Sequence, residues 1–215
     1  ISAGAVQARS ETARRRLRAR PACASWRAGL SPHSAYSVAE GLLARLAALA
    51  HATGTRLAVH AAEDPSEEEF LRKGSGPMAT FLEGAGVLPS GWTPPAAGPI
   101  EILERTGSLG PRTLVIHGNY PANGDIERLA VSGSTVVYCP GSHAFFAHRP
   151  YPLEAYLQAG IPVALGTDSL ASNGELSALS EMRRVRRQHP TVSAIEVFRM
   201  ATEAGAQALG RGKGR

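Results

Sequence analysis

The chain has 215 residues, of which 43% are hydrophobic and 19% are charged. This composition is typical of a globular protein and excludes a disordered tail or a fibrous repeat. The sequence contains no uninterrupted run of about 18 apolar residues, so we expect neither a membrane-spanning helix nor a membrane partner. The two cysteines, Cys23 and Cys139, are too few for a disulfide scaffold and favour a reducing, cytoplasmic compartment.

The net charge of +5 is concentrated at the start of the chain. Residues 1–30 hold seven arginines and one acid, whereas the other 185 residues hold sixteen Lys/Arg and seventeen Asp/Glu. A basic nucleic-acid-binding surface over the whole body is therefore not predicted, and we expect no nucleic-acid partner. The Ala/Arg-rich segment 1–25 is interpreted as an exposed helix, with a targeting peptide or a basic tail left open. Because the chain starts with Ile1, we expect a fragment.

Five short apolar runs are typical of strands. Three of them are rich in β-branched residues, and all are nearly continuous in apolar character, which indicates strands buried on both faces, as in a parallel sheet. The predicted strands are 27–31, 56–60, 113–117, 135–139 and 162–166.

Helical patterns alternate with these strands. Such alternation predicts an α/β protein whose crossovers are right-handed. The connection 86–99 is the exception, because its prolines and Trp92 are more typical of a functional lid than of a simple connector. The predicted helices are 38–53 before Gly54, a helix opened by a capping box at 66–69, 126–131, 153–159, 176–188, and one capped by Ser193 that runs to about 209.

Side chains that can bind a metal recur where the predicted strands end. His60 and His117 end the second and third strands, Asp168 follows the fifth, and His33 follows the first. The carboxyl ends of parallel strands form the edge where (β/α) barrels build their active sites. Two histidines and an aspartate at equivalent ends predict a shared metal or catalytic site. Glu63, three residues after His60, can turn over the same edge and act as a general base and acid.

One cysteine and two further histidines are not predicted to belong to this site. Cys139 is interpreted as a small core residue. His51, inside a predicted helix, and His189, before Pro190, are expected on the surface.

Five motifs resemble the metal-dependent amidohydrolase superfamily, in its cytosine-deaminase and chlorohydrolase-like branch, and are similar to the aminodeoxyfutalosine deaminases. They occur in the family's order and cover roughly residues 26–210, between the basic segment 1–25 and a tail 211–215. The motifs are SPHSAYSV (31–38), AVHAAE (58–63), VIHGNY (115–120), VVYCPGSHAFF (136–146) and ALGTDSLASN (164–173).

The resemblance implies strands 4–8 of a (β/α)8 TIM barrel with one divalent metal, zinc being favoured over iron or manganese. It implies that His60 and Asp168 ligate the metal and that Asp168 takes a proton from metal-bound water. Glu63 would move a proton to the ring nitrogen of the substrate and then to the leaving amine, and His117 would orient the hydroxide or polarise the substrate. The residues implied or expected to contact substrate are His33, Trp92, Ser142 and His143.

The function implied by the resemblance is hydrolysis of a C–N bond by metal-bound hydroxide, most simply deamination of an aminopurine nucleoside or a related amino-heterocycle. A hydrolase of halogenated or aminated triazines or pyrimidines is the alternative within this class. The family's first strand carries a His-x-His pair of ligands, and these 215 residues contain no His-x-His. A catalytically inactive, truncated barrel that acts as a pseudoenzyme or an assembly partner is therefore the second class of function. A homo-oligomer remains open.

Overall fold

The computed structural model describes residues 3–19 and 27–211. Its five described strands form one parallel sheet in the order β1-β2-β3-β4-β5, so each strand pairs with the next one along the chain. Helices connect the strands, and the sheet has the arrangement of part of the predicted barrel. The strands are β1 (Gly29–Leu30), β2 (Arg56–Ala61), β3 (Thr113–His117), β4 (Thr135–Tyr138) and β5 (Val163–Leu165).

All five predicted strands are confirmed, with changes at their ends. β2 continues one residue further than predicted, to Ala61, whereas β1 is only two residues long. The shortening has a local reason, because Pro32 has no N–H to donate to a sheet ladder. Pairing with β2 resumes as a single bridge between Ser34 and His60.

The described helices alternate with the strands along the chain, as predicted. Three short ones, α4, α5 and α7, are not among the predicted helices; each has eight residues or fewer, too few to display a clear period. The helices are α1 (Ala3–Ala19), α2 (Glu40–Thr53), α3 (Pro65–Lys73), α4 (Pro77–Gly84), α5 (Pro99–Arg105), α6 (Asp125–Ser132), α7 (Pro140–Phe145), α8 (Leu153–Gln158), α9 (Ala178–Gln188), α10 (Ala194–Arg199), a π-helical turn (Met200–Ala204) and α11 (Gly205–Ala208).

The start of α3 differs from the prediction. The capping box is made by Asp64 and Glu67, not by Ser66 at the first position. The Asp64 side chain accepts the backbone N–H of Ser66 at 2.8 Å, and Oε1 of Glu67 accepts the N–H of Asp64 at 3.2 Å. Pro65 fits the first helical position because its missing N–H is not needed there. The predicted caps Gly54 and Ser193 are confirmed.

The main core lies between the sheet and its helices. Leu57 and Val59 of β2 and Val115 of β3 are buried there, whereas Ala58 and Ile116, on the other face of the sheet, are only half-buried. The prediction that strands are buried on both faces is therefore correct for β4 and wrong for β2 and β3. Within 3–19 and 27–211, no helix combines the length and apolar character needed to cross a bilayer.

Candidate metal and catalytic site

Three of the predicted residues converge at the carboxyl edge of the sheet. Glu63 follows β2, His117 is the last residue of β3, and Asp168 follows β5. Each offers a ligand atom, and these atoms all lie within 4.8 Å of one another. The convergence follows from the topology, because the ends of parallel strands reach the same edge of a sheet.

His60 lies beside this group and is held by a backbone carbonyl. Its ring centroid is 5.5 Å from that of His117 and 5.0 Å from that of His33. Nδ1 of His60 donates a hydrogen bond to the carbonyl oxygen of His33 at 2.8 Å. A carbonyl can only accept, so in the neutral ring Nε2 carries the free lone pair. Metal-binding histidines usually have this arrangement, with the second ring nitrogen bound to a carbonyl or a carboxylate.

His117 is held in a backbone conformation that few non-glycine residues adopt. Its φ is 73°, in the left-handed region, which costs about 1–3 kcal/mol and is found most often at functional sites. Two tyrosines secure this turn: Tyr151 Oη donates to the carbonyl of His117 at 2.9 Å, and Tyr156 Oη donates to that of Gly118 at 2.6 Å. Burial, together with His60, lowers the pKa of His117 to about 4, so its ring is neutral at pH 7.

Glu63 faces His117 from the turn after β2. Its Oε1 is 3.4 Å from Nε2 of His117. The backbone of Glu63 is held on both sides, because its N–H donates to Glu67 at 2.7 Å and its carbonyl accepts the side-chain amide of Asn119 at 3.0 Å. Burial raises the pKa of the Glu63 carboxyl above its ordinary value, which suits a group that both takes and gives protons.

The carboxylate of Asp168 is held in place by two serine side chains. The hydroxyls of Ser142 and Ser172 both donate to its Oδ2, at 2.9 and 2.7 Å. Burial alone would raise the pKa of Asp168, but these two hydrogen bonds and the neighbouring His117 outweigh it, so the pKa is lowered. Its φ of 55° is also left-handed. Asp168 is therefore held as a charged acceptor, with Oδ1 the oxygen that the two serines do not occupy.

The donor set fits a divalent metal. Imidazole nitrogen and carboxylate oxygen are ligands common to zinc, iron and manganese. Two carboxylates and an imidazole already lie close enough together to share one ion, and the free Nε2 of His60 is a further nitrogen donor beside them. The group of three includes His117 and Glu63, whereas the family resemblance implies His60 and Asp168 as the metal ligands.

The residues predicted to contact substrate lie in different surroundings. His33 is exposed, and its Nδ1 lies 3.1 and 3.0 Å from the hydroxyls of Ser34 and Ser37. Ser142 is 1% exposed and directed at Asp168.

His143 and Trp92 are packed against other side chains. His143 is buried, with Nε2 donating to the carbonyl of Arg149 at 2.9 Å. Trp92 lies in the connection between α4 and α5, where its indole stacks on Phe70 with ring centroids 4.5 Å apart. One face of the indole is therefore occupied by Phe70.

Several supporting residues were not identified from the sequence. Ser172 lies within the motif 164–173, which is the one signal that could have indicated it. Asn119 lies within the motif 115–120, whereas the two tyrosines act from positions that depend on how distant segments pack. Glu181, which is fully buried, is a further supporting residue: it accepts the N–H of Gly141 at 2.7 Å and the amide of Asn173 at 2.9 Å. It thereby connects the first turn of α7 to the loop after β5.

The remaining predictions for single residues have mixed outcomes. Cys139 is a buried core residue, as predicted, and burial raises the pKa of its thiol to about 12. His51 is exposed, also as predicted. The expectation for His189 is wrong: it is 5% exposed, with Nδ1 3.0 Å from the Glu154 carboxylate and its ring edge-on to Tyr138. Cys23 lies outside the described residues.

The chain is similar in sequence to a curated deaminase. The aminodeoxyfutalosine deaminase of Deinococcus radiodurans is 32% identical to this chain over 194 residues, which cover 86% of the chain and 46% of that protein. The chain thus spans about half the length of this relative.

Two solved structures share the fold. An adenosine deaminase from Xanthomonas campestris with bound zinc superposes with a TM-score of 0.73 and 26% identity, covering 95% of this chain and 43% of that one. A mutant atrazine chlorohydrolase from Arthrobacter aurescens, complexed with zinc and atraton, gives a TM-score of 0.69 and 26% identity, covering 86% and 38%. The amidohydrolase family model matches residues 4–215, nearly the whole chain. The chain belongs to the amidohydrolase family.

Proposed function

We propose that this chain carries the active-site residues of a metal-dependent deaminase that acts on an aminopurine nucleoside. The observation that carries the proposal is the convergence of Glu63, His117 and Asp168 within 4.8 Å at the carboxyl ends of three strands. The names of the similar deaminases support the choice of an amino-bearing purine ring. A cytoplasmic location is part of the same proposal and is supported by the low cysteine content.

Zinc is the proposed metal, supported by the zinc in both similar structures. His60 through Nε2 and Asp168 through Oδ1 would hold it, because the other polar atoms of both side chains are already engaged by the His33 carbonyl and by two serine hydroxyls. When bound, such a metal acts as a Lewis acid that makes water a nucleophile at neutral pH.

Four residues of this chain would carry out the proton transfers and contact the water and the substrate. Glu63, within reach of His117 and Asp168, moves the first proton of the attacking water to the ring nitrogen. Neutral His117 orients the water by a hydrogen bond. Asp168, held as an acceptor by Ser142 and Ser172, takes the second proton of the water, and Glu63 then passes this proton to the amine, which leaves as ammonia. The ring of His33 is exposed and lies 5.0 Å from that of His60, and we assign it to contact with the substrate.

The test starts with the metal. The 215-residue chain, stripped of metal, is titrated with Zn²⁺ by calorimetry, and we expect one ion per chain. Asp168→Asn should weaken binding at least about tenfold, since it replaces a charged ligand by a neutral one. Glu127→Gln changes an exposed acid on α6 and serves as the control. Unchanged affinity in Asp168→Asn would contradict the site.

The reaction is tested on the zinc-loaded chain. Ammonia release from adenosine and 5′-deoxyadenosine is measured beside halide release from chlorinated triazines. Ammonia release that is lost in Glu63→Gln and retained in Glu127→Gln supports the proposal. Halide release without ammonia release favours the triazine alternative instead. Zinc binding with neither product contradicts a catalytic function and favours the inactive assembly partner.

A further inference from the structure

A cavity of about 960 Å³ lies at the end of the sheet opposite the metal site. Arg56 begins β2 and Arg112 immediately precedes β3, so the cavity lies at the amino ends of the strands. Its other walls come from α1, from the end of α2 and from the residues after α11. The six residues of β2, at about 3.3 Å each, separate this cavity from the metal site by roughly 20 Å.

The lining of this cavity is strongly basic. Among the described residues, no aspartate or glutamate lines it, and the other lining residues are small or aliphatic, without an aromatic ring. Six formal positive charges in one cavity exceed the net charge of +5 of the entire chain. The cationic residues of the lining are Arg14, Arg18, Arg27, Arg45, Arg56 and Arg112.

These charges are poorly neutralised by the protein. Arg14 lies 3.8 Å from Glu11, in an exposed pair on α1. Within 3–19 and 27–211, none of the other five arginines has a carboxylate within 4.0 Å. Arg27 donates to the carbonyl of Gly210 at 2.6 Å, and Arg56 donates to that of Gln207 at 3.0 Å.

Helix ends offset only a small part of this charge. The carboxyl ends of α2 and α11 reach the cavity at Gly54 and Leu209, and each carries about half a negative charge. With the Glu11 carboxylate also counted, about four positive charges remain. The repulsion acts on Arg56, whose pKa is lowered by burial and by Arg112 and Arg27. Nε of Arg56 is also buried with no hydrogen-bond partner in the part of the chain that the structure describes.

We propose that this arginine-lined cavity binds a compact anion that carries several phosphate groups. Arginine presents a planar fork of donors that matches phosphate oxygens two at a time, and six such forks suit more than one phosphate. The volume is that of a small-molecule site. Since the described part of the lining holds no aromatic ring, the phosphates are recognised and a base is not.

The test uses inorganic tripolyphosphate and the metal-free chain, so that the anion cannot bind through a metal at Asp168. Calorimetry at about 50 mM salt, where screening is modest, should show one tripolyphosphate per chain. The double variant Arg45→Gln/Arg112→Gln removes two exposed forks from the lining and should weaken binding at least about tenfold. Circular dichroism verifies that the variant remains folded.

The matched control is Arg183→Gln/Arg187→Gln, which removes the same charge from exposed positions on α9, outside the lining. Its affinity should stay within about twofold of the parent, because the control does not touch the cavity. Equal weakening by both double variants would show general charge attraction and overturn the proposal, as would the absence of binding by the parent.

The binding of orthophosphate and of ATP, compared with that of tripolyphosphate, distinguishes the possible sources of the bound phosphates. Orthophosphate should bind at least about tenfold more weakly than tripolyphosphate, because it engages fewer forks. ATP should bind with an affinity similar to that of tripolyphosphate, since the lining residues that the structure describes offer no stacking surface for a base. Orthophosphate binding as tightly as tripolyphosphate, or a strong preference for ATP, would contradict the assignment. Neither result depends on whether the chain deaminates nucleosides.

Discussion

Oε1 of Glu67, in the first turn of α3, accepts a hydrogen bond from the backbone N–H of Glu63 at 2.7 Å. The same carboxylate also accepts the N–H of Asp64 at 3.2 Å and, through Oε2, that of Ala62 at 3.1 Å. Glu67 is 1% exposed, so three consecutive amides of the turn after β2 depend on one buried side chain. Ala62 has a φ of 54°, and this cluster of bonds holds the strained turn that presents Glu63.

Glu67→Gln should therefore destabilise the protein. The substitution replaces one acceptor oxygen by an NH₂ group that faces backbone donors, which costs about 1–3 kcal/mol for a buried polar group left unsatisfied. In a chain of this size that corresponds to a fall in the melting temperature of about 2–4 °C per kcal/mol. Thermal denaturation followed by circular dichroism measures the change. The exposed Glu127→Gln should stay within about 0.5 kcal/mol of the parent, and equal melting temperatures for the two variants would refute the role of Glu67.

Removing the serines that support Asp168 should weaken metal binding. Ser142→Ala and Ser172→Ala each delete one hydroxyl that donates to Oδ2. Partners that orient a ligand typically contribute about 10–100-fold to metal affinity, so the double variant should lose an amount in that range. Titration with Zn²⁺ measures it. Ser90→Ala, at an exposed position in the connection before α5, is the control, and a double variant that binds zinc as tightly as this control would contradict the prediction.

Gly141→Ala should distort the first turn of α7. A Cβ at this position would overlap the side-chain amide of Asn173. That amide cannot easily move, because its Nδ2 donates to the carbonyl of Thr167 at 2.8 Å and to Glu181 at 2.9 Å. We expect a loss of about 1–3 kcal/mol of stability, the usual cost of overpacking. Urea denaturation measures it, with Gly174→Ala as the control, since a Cβ there would meet open space.

Trp92→Ala tests whether the connection before α5 acts in stability or in substrate binding. The indole stacks on Phe70, whose side chain is fully buried, so its removal should cost about 2–4 kcal/mol, near the values for large-to-small changes. Trp92→Phe keeps an aromatic ring and should recover part of this loss. The role in substrate binding stays a prediction that the Michaelis constant tests: an unchanged KM in a folded Trp92→Ala variant would exclude it.

The strands and the residues at their ends were predictable from local signals. Short β-branched runs and helical periods are properties of adjacent residues, so the five strands and most longer helices agree with their predicted ranges. The rule that parallel strands end at one edge then brought His117, Asp168 and the nearby Glu63 to one site. Errors arose where one chemical group overrode the pattern, as when Asp64 rather than Ser66 capped α3.

The side chains that hold the site residues in place could not be predicted from local sequence patterns. Asp168 depends on Ser142, 26 residues away, and the turn at His117 depends on Tyr151, 34 residues away. Such pairs form only after helices and loops have packed, and neither residue type indicates its partner in the sequence. The burial of His189 has the same origin, since Glu154 and Tyr138 come from other elements.

By itself, the sequence determined the parallel α/β order and the chemistry at the strand ends, because both follow from short-range periodicity and from the direction of the chain. Only the tertiary structure decided that ligand atoms of Glu63, His117 and Asp168 lie within 4.8 Å of one another, with the ring of His60 beside that of His117. It also gathered six arginines from several segments into one cavity at the other end of the sheet. Distances between such groups depend on left-handed turns and on packing between distant segments, which leave no local pattern in the sequence.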